Sequence, residues 1–357
     1  MRKKIYILHQ TGAPRHFESL FYMNKKNRKY NDVVQVEFNI IRKLGKGLLT
    51  FKLGYIKKAV MNLFYLVNFL FTKNKTIIVG IAPYDIFIIY MLILKKKHKL
   101  IYYSSWPYWN LTKYPKRIFF KSQVHMWQVF LKDIKVVAVT DKVKKGLSQY
   151  TSNITVIPHC INPSIFNGNT ANKINSSLRF LFVGRITESK GINIIIDIIE
   201  NDRNSKYNEW WFVGEGNLSN KIRLICDRRK NCKYFGKISE QNKLAQIYKQ
   251  CDVLLLPSIP QKNWEELFGI VLIEAMACKV VPISSSGVGP STIIRNQVDG
   301  LLLKSVDSIS LKKAIISIVS DPKKLEFMQH NAYQRVMSNY SINITSQLWA
   351  KVLQHDI

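Results

Sequence analysis

Two glutamates on either side of a Phe-Gly pair give the strongest chemical signal in this sequence. The run reads Glu266-Leu-Phe268-Gly269-Ile-Val-Leu-Ile-Glu274-Ala-Met, and its apolar spacing predicts a helix over Phe268–Met276. Backbone N–H groups at a helix start have no partner within the helix, so they can hold a sugar hydroxyl or a phosphate oxygen. Glu274 lies among apolar residues, where a carboxylate needs hydrogen-bond donors. Ribose hydroxyls are suitable donors; donors from the protein itself are the alternative.

A basic loop follows the predicted strand Leu178–Val183. Gly184 and Arg185 come directly after the strand, and Lys190 and Gly191 stand where a helix is predicted to begin. A glycine at this point lets the backbone approach a ligand, and the two cations together with the helix N-terminus can neutralise a diphosphate. Because basic loops without a ligand have the same composition, this motif alone is a weak indicator.

Two further glycine turns end predicted strands. The first is Val213-Gly214-Glu215-Gly216, and the second lies within Tyr234-Phe235-Gly236-Lys237-Ile238. Glycines permit a tight turn beneath a ligand, and main-chain groups around Gly236 could contact a base. For each motif taken alone, a plain turn is the alternative.

Taken in order, these motifs resemble retaining GT-B glycosyltransferases of family GT4, the glycosyl transferases group 1. The order and spacing match from Gly184 to Ala275 and include Asp252-Val253 and Pro257-Ser258. Weaker similarity extends into the first half of the chain, where Val137–Thr140 resembles the last strand and helix start of the family's N-terminal domain.

The resemblance implies a nucleotide-sugar donor, a UDP-sugar or a GDP-sugar, that binds mainly to the second half of the chain. Arg185 and Lys190 would hold the diphosphate as it leaves, and Glu266 would bind the transferred sugar; these three are the expected catalytic residues. The expected donor-binding residues are Gly12 in the first N-terminal loop, Gly184, Gly214, Gly216, Gly236, Ile238 near the base, Phe268, Gly269 and Ile270 through the backbone, and Glu274 at the ribose. No metal site and no further cofactor are expected, because Arg and Lys supply the electrostatic stabilisation that a divalent ion supplies elsewhere.

The function implied by the resemblance is hexosyl transfer with retention of configuration. The acceptor would be a saccharide that is lipid-linked or close to a membrane, in the biosynthesis of a cell-surface polysaccharide. A GT-B relative that epimerises or hydrolyses a nucleotide sugar is the alternative within this fold.

The chain departs from the family pattern in its first half. Many relatives carry a catalytic histidine after the fourth N-terminal strand, whereas this chain reads Ile101-Tyr-Tyr-Ser104-Ser105-Trp106-Pro107. Ser104, Ser105, Trp106 and His9 at the end of the first strand are the alternatives for its role, together with loss of that role. In the second half, Lys279 follows Cys278 where a glycine is usual, and Gly287–Thr292 lacks the usual acid.

Short apolar runs alternate with longer helical patterns, which is typical of βαβ units and parallel sheets. The predicted fold class is α/β, a GT-B fold with two Rossmann-like domains facing across a cleft. Residues 1–165 would form the acceptor-binding domain and residues 166–340 the nucleotide-sugar-binding domain. The polar stretch Phe166–Ser177 is the predicted linker, and a final helix at about 341–357 is expected to pack back on the first domain.

The chain is strongly basic, and the excess is uneven. Its 54 Lys and Arg residues face 23 Asp and Glu residues, a net charge of +31. Residues 1–160 carry 29 bases and 6 acids, a net +23, which leaves 25 and 17, a net +8, for residues 161–357. Nucleic acid, a phosphate-rich substrate and an anionic membrane are the possible partners. No helix-turn-helix, zinc-finger, RNP1-like or KH pattern is evident, so a nucleic-acid-binding protein is the weaker interpretation.

The basic excess is accompanied by aromatic residues in Arg42–Lys58 and Leu63–Phe71. Between Phe38 and Lys132 there are 17 bases and a single acid, Asp85. A basic, aromatic, acid-poor segment suits the surface of an anionic bilayer, and Lys95–Lys99 with Lys113–Lys121 would extend it. A solvated basic face over ordinary amphipathic helices is the alternative.

The five cysteines are odd in number and lack any C-x-x-C pair, so neither a disulfide framework nor a zinc site is expected. The N-terminus MRKKIYILHQTG is not of the signal-peptide type. The apolar stretches Ala59–Phe71 and Ile86–Leu94 are shorter than the roughly 20 residues that span a bilayer. The expected location is cytoplasmic and peripheral, at the inner face of the membrane.

Overall fold

In the computed structural model, the described residues are 4–10, 14–27, 33–38, 40–49, 51, 53–113, 116–168, 177–201, 208–262 and 264–354. Their contacts divide the chain into two compact units. Unit 1 holds the residues up to His159 together with those from Thr345 onward, and unit 2 holds Cys160–Ile344.

Unit 1 alternates strands with helices. Its strands are β1 Ile5–His9, β2 Val33–Glu37, β3 Thr76–Gly80, β4 Lys99–Ser104, β5 Lys135–Ala138 and β6 Ile154–Val156. Its helices are α1 Glu18–Asn27, α2 Ile40–Leu49, α3 Leu53–Phe71, α4 Ile88–Lys97, α5 Lys121–Leu131 and α6 Asp141–Leu147, with a 3-10 turn at Pro14–Phe17.

Unit 2 repeats the alternation. Its strands are β7 Arg179–Val183, β8 Glu209–Val213, β9 Cys232–Tyr234, β10 Val253–Leu256, β11 Val281–Ser285 and β12 Leu301–Leu303. Its helices are α7 Ile192–Asn201, α8 Ser219–Arg228, α9 Gln241–Lys249, α10 Ile270–Ala277, α11 Pro290–Ile293, α12 Ser308–Val319 and α13 Pro322–Asn339, with a 3-10 turn at Glu188–Lys190. The last helix, α14 Ile342–Gln354, joins unit 1 from Thr345 onward, where the Lys135 ammonium donates to the Val352 carbonyl at 3.0 Å.

Within the described residues each unit contains one six-stranded sheet, and all neighbouring strands are parallel. The order is β2-β1-β3-β4-β5-β6 in unit 1 and β12-β11-β10-β7-β8-β9 in unit 2. Strands β10 and β11 are buried along their whole length, as expected for parallel strands covered on both faces. The prediction of an α/β fold with two Rossmann-like domains is confirmed.

Several local predictions need correction. The sequence does not predict helices α1, α2 and α5. Polar residues interrupt the short apolar patterns of α1 and α5, whereas α2 is clearly amphipathic and lies largely in Arg42–Lys58, a segment interpreted only by its basic and aromatic composition. Helix α4 begins at Ile88, inside the apolar stretch Ile86–Leu94, because Tyr84 has a φ of 59° and the Asp85 carboxylate accepts the Phe87 N–H at 3.0 Å. Both features hold the chain in a turn before the helix can start.

The units divide between His159 and Cys160, whereas the sequence placed the boundary between residues 165 and 166. The intervening segment belongs to unit 2 because Ile161 bridges Ser341 and the Phe166 ring lies 6.2 Å from that of Tyr248. The predicted linker lies largely outside the described residues, which resume at Ser177.

Part of the basic excess in unit 1 stabilises helix ends. The Lys95 ammonium donates to the carbonyls of Val129, Phe130 and Lys132 at 2.6–3.1 Å, around the C-terminus of α5. Lys97 donates to the Leu70 carbonyl at the end of α3. Cations at helix C-termini satisfy free carbonyls and oppose the helix dipole. None of the helices in the described ranges is long and apolar enough to cross a membrane.

Candidate functional site

In the sheet of unit 2, the chain runs from β7 outward to β9 at one edge and then returns to β10 and runs to β12 at the other edge. The strand order therefore reverses beside β7. Strand β7 pairs with β8 on one side and with β10 on the other. In open parallel sheets, ligands bind at such a switch point, outside the carboxyl ends of the strands. Gly184 and Arg185 follow β7 directly, and Pro257 and Ser258 follow β10.

The predicted glycine turns lie side by side at this edge. Gly184 N–H donates to the Val213 carbonyl at 3.0 Å, and Gly214 N–H donates to the Gly236 carbonyl at 2.8 Å. A Cβ on Gly214 would lie 1.7 Å from the Gly184 carbonyl oxygen, so only glycine allows the two loops this close approach. Gly216 lies in the same turn as Gly214, and the half-buried Ile238 follows Gly236 in the loop after β9.

The three predicted catalytic residues meet around an indole ring. Lys190 and Glu266 form a largely buried ion pair, with 12% and 15% of their side chains exposed. The Lys190 ammonium lies 4.9 Å from the centre of the Trp264 ring, and the Arg185 guanidinium lies 6.0 Å from it. The structure therefore places two cations and one carboxylate beside the switch point, and both cations lie next to the ring of Trp264, which belongs to the same loop as Glu266.

Helix α10 begins beside this cluster with its backbone donors uncapped. Gly269 occupies the N-cap position at a φ of 90°, and no side chain in the described residues caps the helix. The helix starts at Ile270 rather than at Phe268 as predicted, because the left-handed conformation of Gly269 ends the preceding loop. The Gly289 N–H donates to the Glu266 carbonyl at 3.0 Å and holds this loop in place.

Glu274 is fully buried within α10. Its Oε2 accepts a hydrogen bond from the Tyr248 hydroxyl at 3.1 Å. Glu274 therefore has a hydrogen-bond donor from the protein itself, the Tyr248 hydroxyl. Its role at a ribose stays a prediction.

Chemically, this edge of unit 2 can stabilise an anion. Two cations and the positive end of a helix converge there, and a carboxylate and backbone groups lie beside them as hydrogen-bonding groups. Among the described residues, no three His, Cys, Asp or Glu side chains are grouped as metal ligands would be. The five cysteines are present as thiols.

In unit 1, the alternatives for the missing histidine differ in their contacts. Ser104 is buried and accepts the Trp106 N–H at 3.1 Å, and the Trp106 indole donates to the Tyr108 carbonyl at 2.7 Å. These contacts commit Ser104 and Trp106 to the local turn. Ser105 is half-buried, and Gly12 lies outside the described residues.

His9 belongs to a histidine cluster that the sequence did not predict. Its ring centre lies 6.0 Å from that of His16, which lies 4.4 Å from that of His159. The Tyr103 hydroxyl lies 3.3 Å from Nδ1 of His159. Burial lowers the pKa of His9 and of His16 to about 4, with smaller contributions from His16 and Arg15 respectively, and holds the pKa of His159 well below its usual value. The cluster is therefore neutral at physiological pH.

Three residues near the predicted site were given no role by the sequence analysis. Trp264 is a lone aromatic in a polar loop, and Tyr248 comes 26 residues before its carboxylate partner, so neither shows in a local pattern. Ser258 is buried after β10, and its hydroxyl has no hydrogen-bond partner within the described residues. The sequence signalled Ser258 only as part of the Pro257-Ser258 motif after that strand, without a role of its own.

A family model described as "Glycosyl transferases group 1" matches residues 169–335. This stretch contains Arg185, Lys190, Glu266 and Glu274, the residues on which the resemblance was drawn. The match lies entirely within unit 2.

Two curated relatives show the same similarity. An uncharacterized glycosyltransferase of Methanocaldococcus jannaschii is 28% identical over 53% of this chain and 50% of its own length. The Escherichia coli UDP-Gal:alpha-D-GlcNAc-diphosphoundecaprenol alpha-1,3-galactosyltransferase is 27% identical over 53% of this chain and 51% of its own length. The chain spans about half the length of the curated relatives it matches.

Among solved structures, HepE of Anabaena in complex with UDP has a similar fold. The TM-score is 0.71 at 16% sequence identity, and the similarity covers 99% of this chain and 100% of that one. At this identity the likeness shows the fold alone, and it confirms the GT-B fold class.

Proposed function

We propose that this protein, whose residues 169–335 match a family model for glycosyl transferases group 1, transfers a sugar from a UDP-sugar to a lipid-linked saccharide with retention of configuration. The observation that carries the proposal is the cluster of Arg185, Lys190 and Glu266 at the switch point of unit 2, beside the uncapped start of α10.

In the proposed reaction, the bond between the anomeric carbon and the diphosphate oxygen breaks, and the electron pair leaves with the diphosphate. Arg185, Lys190 and the N–H groups at the start of α10 stabilise the negative charge that develops there. The acceptor hydroxyl oxygen forms the new bond to the anomeric carbon on the face from which the diphosphate leaves, and its proton passes to the departing phosphate. The ion pair with Glu266 aligns the Lys190 ammonium, and the Glu266 carboxylate also accepts hydrogen bonds from hydroxyl groups of the transferred sugar.

A UDP-sugar is favoured over a GDP-sugar as donor. HepE binds UDP in its structure, and the E. coli relative is named for UDP-Gal. The loop that carries Gly236 and Ile238 would contact the base through main-chain groups. The Glu274 carboxylate, which accepts a hydrogen bond from the Tyr248 hydroxyl, would also accept hydrogen bonds from the ribose hydroxyls.

The acceptor is proposed to be carried by a lipid at the inner face of an anionic membrane. The same relative is named for a diphosphoundecaprenol acceptor. In residues 1–160 of this chain, 29 bases face 6 acids. This excess favours a negatively charged membrane surface over a neutral one, at about 1 kcal/mol for each base near the surface.

The proposal is tested by matching donor to product. Thermal unfolding is followed with UDP-, GDP- and ADP-sugars, since a bound donor stabilises the folded state. The stabilising donor is then incubated with saccharide-diphosphate lipids, and NMR of the product gives its anomeric configuration. We expect stabilisation by a UDP-sugar and a product with the donor's configuration.

Other outcomes separate the alternatives. An inverted product would remove the retaining mechanism, and release of free sugar or conversion of the donor without an acceptor would indicate a hydrolase or epimerase. Binding to duplex DNA in preference to every nucleotide sugar would support the nucleic-acid interpretation instead.

A further inference from the structure

The turn between α2 and α3 exposes a cluster of large apolar side chains. Leu48, Leu49, Phe51 and Leu53 are 66%, 85%, 94% and 79% exposed. Soluble domains rarely leave neighbouring large apolar side chains in water, and where they do the patch usually marks an interaction site.

Helix α3 continues this surface along one side. Val60, Phe64, Val67 and Phe71 follow Leu53 at the three- and four-residue spacing of a single helix face, and all are exposed. Lys57 is the one charged residue in this row. The opposite side packs inward through Ala59, Asn62 and Phe69. A helix of 19 residues extends for about 28 Å, so this apolar face is long and is interrupted only by Lys57.

Neighbouring helix α4 also exposes apolar side chains. The Tyr90 hydroxyl of α4 donates to the Leu66 carbonyl of α3 at 2.6 Å, which holds the two helices together. Ile89 and Ile93 of α4 are exposed, as are Ile86 and Phe87 just before it. We call the exposed apolar residues from Leu48 to Phe71 the hairpin face.

Charge decides what can cover the hairpin face. Between Phe38 and Lys132 the only acid is Asp85, which is buried, accepts the Gln10 side-chain amide at 2.8 Å and lies 3.6 Å from the Lys116 ammonium. The nearby Glu37 is likewise buried and paired with Lys58 at 3.6 Å. A second copy of the chain would bring one strongly basic surface against another, and like charges oppose that association. An anionic bilayer instead offers an apolar interior beneath a negative surface.

We propose that the hairpin face inserts into an anionic bilayer, with the α2–α3 turn entering first and α3 lying in the plane of the membrane. Leu49 and Phe51 reach the acyl chains, and Lys57 extends its ammonium to the headgroups. The attachment is therefore hydrophobic as well as electrostatic. This inference rests on the membrane location in the proposed function and identifies the part of the molecule that makes the contact.

The test compares vesicles of phosphatidylcholine and phosphatidylglycerol with vesicles of phosphatidylcholine alone. The variant is L49S/F51S. Because the native Leu49 and Phe51 side chains are 85% and 94% exposed, their replacement should leave the fold intact. The matched control is I309S/F327S in unit 2, which removes an aliphatic and an aromatic side chain that are 67% and 57% exposed. Co-sedimentation is measured at low and high salt, and UDP binding is measured in parallel.

We expect wild type and I309S/F327S to bind the anionic vesicles and to keep part of this binding at high salt. L49S/F51S should bind at least about tenfold more weakly. A tenfold change in affinity corresponds to about 1.4 kcal/mol, and burial of a large apolar side chain contributes at least that much. Its UDP binding should equal that of wild type.

Equal vesicle binding by wild type and L49S/F51S would overturn the inference, as would complete loss of wild-type binding at high salt. A concentration-dependent dimer of wild type that L49S/F51S abolishes, without vesicle binding, would assign the face to a second copy instead. Failure of wild type to bind any nucleotide would remove the proposed function but leave the vesicle result intact.

Discussion

The two units share a sheet plan but differ in what surrounds it. Each has a parallel sheet with a switch point beside its first strand, between β1 and β3 in unit 1 and between β7 and β10 in unit 2. At the switch point of unit 2 lie an ion pair, a second cation and an uncapped helix start. At that of unit 1 lie His9, which packs against Gly80, and the Gln10–Asp85 hydrogen bond.

The difference indicates that two sheets of the same topology can be suited to different ligands. Unit 2 concentrates a few placed charges where a phosphate would bind, and its overall charge is modest. Unit 1 keeps its histidine cluster neutral and carries most of the basic excess on its surface, next to an apolar helix face. Fold position thus predicts where a ligand binds, and side-chain chemistry predicts which ligand it is.

The largest expected effect is at the charged cluster of unit 2. Lys190→Ala should lower kcat/KM for the sugar donor by about 100- to 1,000-fold, because the leaving diphosphate loses a placed cation. Lys243→Ala is the control, since Lys243 pairs with Glu240 on the surface and is 69% exposed. Steady-state kinetics within threefold of wild type for Lys190→Ala would contradict the role given to this residue.

A smaller effect is expected from acid at the histidine cluster of unit 1. Because the folded state lowers the pKa of His9 and His16 to about 4, the unfolded chain binds more protons between about pH 6.5 and 4. Stability should therefore fall as the pH is lowered through this window, by on the order of 3 kcal/mol for each imidazole at most.

Urea denaturation at several pH values measures this loss. His16→Gln should reduce the pH dependence, whereas His330→Gln, at an exposed position, should leave it unchanged. A pH dependence that is the same in wild type and His16→Gln would show that the cluster is not its source.

A third prediction concerns the buried carboxylate of unit 2. Tyr248→Phe removes the hydroxyl that donates to Glu274 and should lower the free energy of unfolding by about 1–3 kcal/mol. Tyr333→Phe removes a hydroxyl elsewhere in the same unit and serves as the control. Equal stability of wild type and Tyr248→Phe would indicate that other donors satisfy Glu274.

The smallest effect is expected at the indole that faces the two cations. Trp264→Ala should raise the KM for the donor by about fivefold with a smaller change in kcat, because each cation–π contact contributes about 0.5–1 kcal/mol. Trp264→Phe should recover part of the loss. A fall in kcat with an unchanged KM would place Trp264 in the chemical step rather than in donor binding.

Features encoded within a short segment were predictable from the sequence. Strands ending in Gly184 or Gly214 and the α10 segment show their roles through apolar periodicity and glycine placement, which are local properties. The sheets followed because alternating strands and helices permit few topologies.

The features that escaped prediction depend on contacts between distant segments. The Tyr248–Glu274 bond and the His9–His16–His159 cluster join residues far apart in sequence. Helix α3 reads as an apolar segment, but composition alone does not show that one of its faces lacks a covering element. Likewise, the sequence assigns Lys95 and Lys97 to a basic surface, whereas in the structure their ammonium groups donate to carbonyls near helix ends.

The most direct test of the account is a calorimetric titration of UDP into wild type, Lys190→Ala and Lys243→Ala. If unit 2 binds the diphosphate through its charged cluster, wild type and Lys243→Ala should bind UDP equally, and Lys190→Ala should bind at least about tenfold more weakly. Equal UDP affinity in all three proteins, or no binding by wild type, would contradict the assignment of this site.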